Sequence, residues 1–94
     1  MSHASVLAER QQQRIKRQEW VRELLDEAKH QLADVAKTCG IATRTWRDWI
    51  ADGVLPEKHK EAIVYVLFRK EWSDLPQTER RRIDSELNAH FSWR

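Results

Sequence analysis

Turn-forming residues are scarce in this 94-residue chain, which holds only two glycines and two prolines. Sheet proteins need frequent turns, and glycine and proline make most of them. Their scarcity argues against a β-sandwich or barrel and favours helices joined by a few short loops. The length fits one domain, residues 1–94. Apolar residues (40%) and charged residues (34%) are balanced as in globular rather than disordered chains.

Cysteine is also scarce, since Cys39 is the only one in the sequence. The chain can therefore form neither an internal disulfide nor a zinc site with several cysteines. The four histidines do not have ligand spacing with one another or with Cys39. We therefore expect no metal and no cofactor. Cys39 has no local partner for nucleophilic chemistry, and the chain has no glycine-rich phosphate loop, so we expect no enzymatic activity.

The chain also lacks a long apolar run and a strong excess of charge. No apolar segment approaches the roughly 18 residues that cross a membrane, and the N-terminus lacks the apolar core of a secretory signal. We expect a cytoplasmic protein with no membrane partner. The net charge is only +2, which is a weak overall attraction to phosphate. The basic residues are clustered, however, in Arg10–Arg17 and in Arg80–Arg82.

Apolar spacing predicts an all-α fold, a compact bundle of about five helices. The first helix covers roughly 5–30, with an apolar stripe from Trp20 to Ala28. Its earlier half has few apolar residues and is expected to project into solvent. Two short helices follow at 32–39 and 43–52, and each precedes a glycine that can end it.

A fourth helix is predicted from 57 to about 72, after Pro56 at its start. The run Ile63–Phe68 is consecutive and rich in β-forming residues, so a strand is an alternative there. The flanking residues favour a helix, and apolar residues on all sides would make that helix central and buried.

The last helix is predicted to begin near Pro76, with Ser73 or Asp74 as its cap. Its inner face carries Ile83, Leu87 and Phe91 at helical spacing. We expect this end of the chain, together with Trp93, to form the surface of a homodimer. The chain has five tryptophans, and Trp72 and Trp93 are the expected interface residues, since tryptophan is enriched at interfaces.

The segment Leu32–Ala51 meets the steric demands of two helices that cross steeply at a tight turn. Ala36 is a small residue at the expected closest approach, and Gly40 supplies the positive φ of the turn. Ile41 is apolar within the turn. Trp46 and Trp49 lie about one helical turn apart and are interpreted as inner-face residues rather than base-stacking platforms.

On these residues the chain resembles the helix-turn-helix superfamily of DNA-binding proteins. Val35-Ala36-Lys37, Gly40-Ile41, Arg44-Thr45 and Gly53-Val54-Leu55-Pro56 look like MerR-type and excisionase-type regulators. Those families continue into a β-hairpin wing, whereas Glu57 onward reads as a helix. The chain is therefore more similar to Cro-like phage repressors and related Cro/YdaS antitoxin-type regulators.

The resemblance implies that the second helix of the pair, about Thr43–Ala51, lies in the major groove of double-stranded DNA. Arg44 and Arg47 would bond guanine, and Asp48 would accept from cytosine or pair with Arg44. Thr43 would contact a thymine methyl or a phosphate and would also cap the helix. Phosphate contacts are expected from Gln31 and Lys37. The outer face consists of Ala42, Thr43, Arg44, Arg47, Asp48 and Ala51.

The basic stretch of the first helix has two interpretations. It is either a solvated helix face or a basic arm that grips the DNA backbone through Arg10, Arg14, Lys16 and Arg17. The function predicted is a sequence-specific transcription regulator, such as a repressor of phage or mobile-element type, that binds DNA as a homodimer. One alternative is a protein-interaction module, in which the bundle is a scaffold for binding a host protein. Another is an excisionase-like architectural factor that bends DNA.

Overall fold

The computed structural model describes residues 3–94, with side chains from residue 6 onward. That part of the chain forms five α-helices, which confirms the predicted all-α class, and two strands of two residues each. No helix among these residues is long and apolar enough to cross a membrane. The elements are α1 (His3–Glu27), α2 (Leu32–Thr38), α3 (Thr43–Asp52), β1 (Val54–Leu55), α4 (Lys60–Phe68), α5 (Gln77–His90) and β2 (Ser92–Trp93).

The core is apolar and draws on every helix and on β1, and no polar or charged residue among the described side chains is fully buried. Four of the nine residues of α4 are buried and two more are partly buried against the core, as expected of a central helix, and Tyr65 is its one large exposed apolar residue. Burial of this apolar surface is the main stabilising term of such a fold. The buried residues are Val21, Leu25, Val35, Ala36, Cys39, Trp46, Ile50, Leu55, Ile63, Val64, Val66, Leu67, Ile83, Leu87 and Phe91.

α1 ends three residues before the predicted boundary. The helix stops at Glu27 because Lys29 adopts a left-handed conformation with φ of 58°. The amide of His30 then donates to the carbonyl of Leu25 at 2.8 Å, which closes the last turn. A glycine at this position would have predicted the end of the helix from the sequence, whereas a lysine does not. Toward the other end, every residue from 7 to 16 is exposed.

The segment Ile63–Phe68 is helical, so the helix interpretation was right and the strand alternative was wrong. The predicted span 57–72 was too long at both ends. A 3₁₀ turn at Glu57–His59 precedes α4, and Arg69 ends the helix with φ of 58°. Ser73 and Asp74 do not cap α5, because they lie in a second 3₁₀ turn and Pro76 occupies the cap position of that helix.

β1 and β2 form a parallel pair that sequence reasoning did not predict. Val54 pairs with Ser92, and Leu55 pairs with Trp93. The pairing is extended by a hydrogen bond from the amide of Glu57 to the carbonyl of Arg94, at 2.7 Å. The last residues of the sequence are therefore attached directly to the segment that follows α3.

Candidate nucleic-acid interface

α2 and α3 form the predicted helix pair, and their turn has the expected local geometry. Gly40 has φ of 68°, and the amide of Ile41 donates to the carbonyl of Ala36 at 2.8 Å. Ala36, the small residue expected at the closest approach of the helices, is buried with 1% of its surface exposed. Trp46 is also buried, and Trp49 is half-buried beside the core. Both tryptophans therefore pack against the core, as the spacing predicted.

The outer face of α3 is exposed at four of its six predicted positions, which are Ala42, Arg44, Arg47 and Asp48. Among the described side chains, the two arginines form no ion pair. Their charged groups are free to meet a ligand.

The other two predicted positions, Thr43 and Ala51, are half-buried and contribute less to this surface. Thr43 is also not the cap of α3, because Ala42 occupies that position and makes no side-chain hydrogen bond to the helix. Thr43 is already the first helical residue, one position past the place where its hydroxyl could cap the free amides.

The predicted phosphate contacts lie on α2, beside the outer face. Gln31 is the cap residue of α2, and its backbone carbonyl accepts hydrogen bonds from the amides of Asp34 and Val35. Its side chain makes no capping bond and is exposed. Lys37 is exposed in the last turn of the same helix.

Arg17 has a structural role that neither interpretation of the basic stretch anticipated. Its guanidinium crosses from α1 to the end of α3 and donates to the carbonyls of Ile50 and Ala51, at 2.8 and 2.9 Å. Those carbonyls carry the partial negative charge of the helix C-terminus, which a cation stabilises. Burial, followed by the nearby Arg14, lowers the pKa of Arg17, while Asp52 opposes the change. An arginine side chain remains charged despite such a shift.

Gly53 is fitted to this contact. It ends α3 with φ of 71°, and a β-carbon placed on it would lie 2.8 Å from the guanidinium carbon of Arg17. Gly40 has a similar φ, but a β-carbon there would meet nothing within 4 Å. Gly53 is therefore favoured by its backbone conformation, and a side chain there would also displace the guanidinium of Arg17 from its place.

The other residues of the predicted basic arm, Arg10, Arg14 and Lys16, are all exposed on α1. Arg14 lines a cleft of about 620 Å³ whose opposite wall includes Arg47 and Asp48 of α3. The structure thus brings a member of the predicted arm and a member of the predicted recognition helix to one surface. We call this space the α1–α3 cleft.

Arg22 lines the same cleft and was missed by sequence reasoning. The sequence does place Arg22 near this surface, since Arg14, Gln18 and Arg22 recur every four residues and so share one side of a helix. All three residues line the α1–α3 cleft. The lining of the cleft thus includes three arginines, Arg14, Arg22 and Arg47, and two carboxylates, Asp26 and Asp48.

The predicted dimer surface on α5 was wrong. Ile83 and Leu87 have no exposed area and Phe91 is 5% exposed, because all three complete the core of their own chain. Trp93 and Trp72 are half-buried, and the ammonium of Lys60 lies 5.4 and 4.5 Å from the centres of their rings. Lys60 also pairs with Asp84 at 2.7 Å. An apolar stripe in the sequence cannot by itself distinguish an internal core from a contact with a second copy.

Other chemistry-bearing residues are dispersed. No group of three or more potential metal ligands occurs among the residues that the structure describes. Cys39 is buried, and its burial raises the pKa of the thiol, which disfavours the reactive thiolate. The imidazole of His90 stacks on Trp20 with 4.3 Å between ring centres. Burial, followed by the charge of Arg17, lowers the pKa of His90, and Glu86 partly opposes this.

Comparison with known proteins adds no relative. No protein-family model, curated protein sequence or solved structure matches the chain. The functional argument therefore depends on the residues described above.

Proposed function

We propose that the protein binds double-stranded DNA sequence-specifically, with α3 in the major groove, and regulates transcription by occupying its site. The observation that carries this proposal is the division of α3 into two faces. Trp46 and Ile50 are buried against the core, while Arg44 and Arg47 are exposed on the other side. A helix that is firmly packed on one side and presents arginines on the other can reach base edges without losing its own support.

The turn before α3 also supports the proposal. Gly40 and the hydrogen bond from Ile41 to Ala36 orient α3 against α2, so that the start of α3 is presented on the surface. Lys37 and Gln31 lie on the neighbouring helix, where phosphate contacts would position the duplex. A single helix of this length reads few bases, so we propose that two copies act together on two half-sites. Their contact would lie outside the buried face of α5.

Origin in a phage or another mobile element is also part of the proposal. It is suggested by the small size of the chain and by the resemblance of segment 32–56 to Cro-like and excisionase-like proteins. An excisionase-like architectural role is a weaker candidate. In the described residues, β1 is followed by a 3₁₀ turn and pairs with the C-terminal β2. The segment that would form a DNA-binding hairpin wing in excisionases therefore does not form a hairpin here.

A protein-interaction module is the principal alternative from another functional class. It is motivated by the small net charge of +2 and by the five tryptophans. However, Trp46 is buried, and Trp72 and Trp93 both contact Lys60 within the chain. These contacts weaken that alternative, although they leave the outer face of α3 open to a protein partner as well.

The experiment is a selection of bound duplexes from a pool with a randomised centre, followed by sequencing. We expect the wild-type protein to enrich one motif and Arg44→Ala/Arg47→Ala to lose that enrichment. Loss of a good arginine–guanine contact costs about 1–3 kcal/mol of discrimination. Arg81→Ala, which changes an exposed arginine on α5, is the matched control and should enrich the same motif as wild type.

Enrichment of the same motif by the double variant would overturn the proposed role of α3. If the wild-type protein retains no duplex even at low salt, DNA binding itself is wrong. A stable complex with a purified host protein would then favour the interaction module.

A further inference from the structure

One face of α1 changes its chemistry along the helix. Val21 and Leu25 are buried on the side that packs against α3. The same face continues toward the N-terminus through Arg17, Arg14 and Arg10, which precede Val21 by four, seven and eleven residues. These are the spacings at which residues of a helix share a side. The apolar stripe of the core is therefore prolonged, beyond the body of the protein, by a row of three arginines.

The first of these arginines attaches the row to α3. Arg17 donates to the last carbonyls of α3, at Ile50 and Ala51. This contact fixes α1 against the end of α3. It also supplies a positive charge where the helix terminus would otherwise repel an anion.

The other two arginines border a hollow beside that contact. The hollow has a volume of about 710 Å³ and lies between the exposed half of α1 and the residues Ala51 and Asp52. We call it the α1 hollow. Arg10 and Arg14 line it with exposed side chains, and neither takes part in an ion pair within the described part of the chain. Asp52 is the one acidic residue in its lining.

We propose that the α1 hollow receives the phosphate backbone of the duplex whose major groove receives α3. This inference extends the proposed function, because it assigns a second contact to the same ligand. Guanidinium groups bind phosphate through paired, charge-assisted hydrogen bonds. Gln11 and Gln13 in the same lining are amide donors of the kind that contact phosphate and sugar. A ligand lying along the outer face of α3 passes this hollow where α3 ends.

The contact is electrostatic and carries no base specificity, so it has a characteristic signature. Each phosphate contact contributes about 0.9 to the steepness with which log K falls with log salt concentration. Loss of the contact should flatten this dependence without changing which sequence is selected. Loss of a base contact on α3 should instead change which sequence is selected and leave the salt dependence nearly unchanged.

The test measures the affinity of the full chain for a labelled random-sequence duplex at several salt concentrations. We expect Arg10→Gln/Arg14→Gln to reduce the slope by about 0.9 for each of the two contacts. Lys16→Gln is the matched control, since Lys16 is a neighbouring exposed cation on the same helix but is not among the residues that line the hollow. Its slope should stay close to that of wild type. The motif enriched from the randomised pool should be the same for all of these proteins.

A slope for the double variant equal to that of wild type would overturn the inference. If Arg44→Ala/Arg47→Ala still loses enrichment in that case, the proposed function of α3 stands without the second contact. The double variant removes two charges and the control removes one, so an equal reduction in slope for each charge removed would show a diffuse charge effect and would also overturn the inference. Absence of wild-type binding at low salt would overturn both proposals.

A structural artefact is excluded by one further measurement. The three substituted side chains are exposed, so thermal unfolding of the variants should match that of wild type to within the few degrees expected of surface changes.

Discussion

The two halves of α1 use the same helical face for different purposes. From Val21 to Ala28 this face is apolar and packs on α3 and the core, whereas from Arg10 to Arg17 it is basic. Arg17 stands at the boundary and belongs to both halves, since it is half-buried and bonded to the end of α3. The comparison teaches that burial stabilises one half, while the other half depends on a single polar contact for its position relative to α3.

The sharpest difference between the halves is expected in stability. Leu25→Ala removes a side chain that is 3% exposed, and we expect it to lower the free energy of unfolding by about 2–5 kcal/mol. Leu7→Ala removes the same atoms from a side chain that is 51% exposed, and its effect should stay within about 0.5 kcal/mol. Urea unfolding of both variants checks the difference.

Comparable losses in the two leucine variants would contradict the comparison. They would mean that the exposed half of α1 packs on something in solution, and a second copy of the chain would then be the first candidate.

The boundary between the halves can be tested at the two glycines. Gly53→Ala and Gly40→Ala both place a side chain at positive φ, which costs about 1–2 kcal/mol. We expect the greater loss at Gly53, because only there does the new β-carbon collide with Arg17. The measurement is again urea unfolding, with each substitution made alone and together with Arg17→Ala.

In the absence of Arg17 the two glycine substitutions should cost about the same. If Gly53→Ala still costs more than Gly40→Ala when Arg17 is absent, the collision with Arg17 is not the cause of the additional loss in unfolding free energy.

The smallest effect on stability is expected from the polar contact itself. Arg17→Ala leaves two carbonyls at the end of α3 without this donor, and hydrogen bonds from charged groups contribute about 1.5–3 kcal/mol when well buried. Because Arg17 is half-buried and water can replace part of the contact, we expect a loss nearer to about 1 kcal/mol. Lys16→Ala, which changes an exposed side chain on the same helix, should leave the free energy of unfolding nearly unchanged. Equal losses in the two variants would show that the hydrogen bonds of Arg17 to α3 do not stabilise the fold.

Local sequence signals predicted the helix pair well and the contact of Arg17 not at all. The bounds of α2 and α3 follow from apolar spacing and from two glycines at positive φ, all within about twenty residues. The acceptors of Arg17 lie 33 and 34 residues away in the chain. Helical periodicity places this residue on a face but does not say what that face meets.

The errors in the fold have related causes. α1 ends at Glu27 and α4 at Phe68, and each is followed by a residue, Lys29 or Arg69, whose left-handed conformation is uncommon for its type. The strands are two residues long, and their partners are 38 positions apart, so neither shows alternation of its own. The apolar stripe of α5 was assigned to a dimer because the sequence alone does not show that the rest of the chain already covers Ile83, Leu87 and Phe91.

The pairing of β1 with β2 joins the segment that follows α3 to the segment that follows α5. A parallel pair cannot be joined by a tight turn, and here the crossover consists of α4 and α5. The segment that follows α3 therefore gains its partner only after the whole second half of the chain has been synthesised and has packed. A peptide containing α2 and α3 alone would lack both β2 and Arg17, and the end of α3 would therefore lose the donor to its last carbonyls.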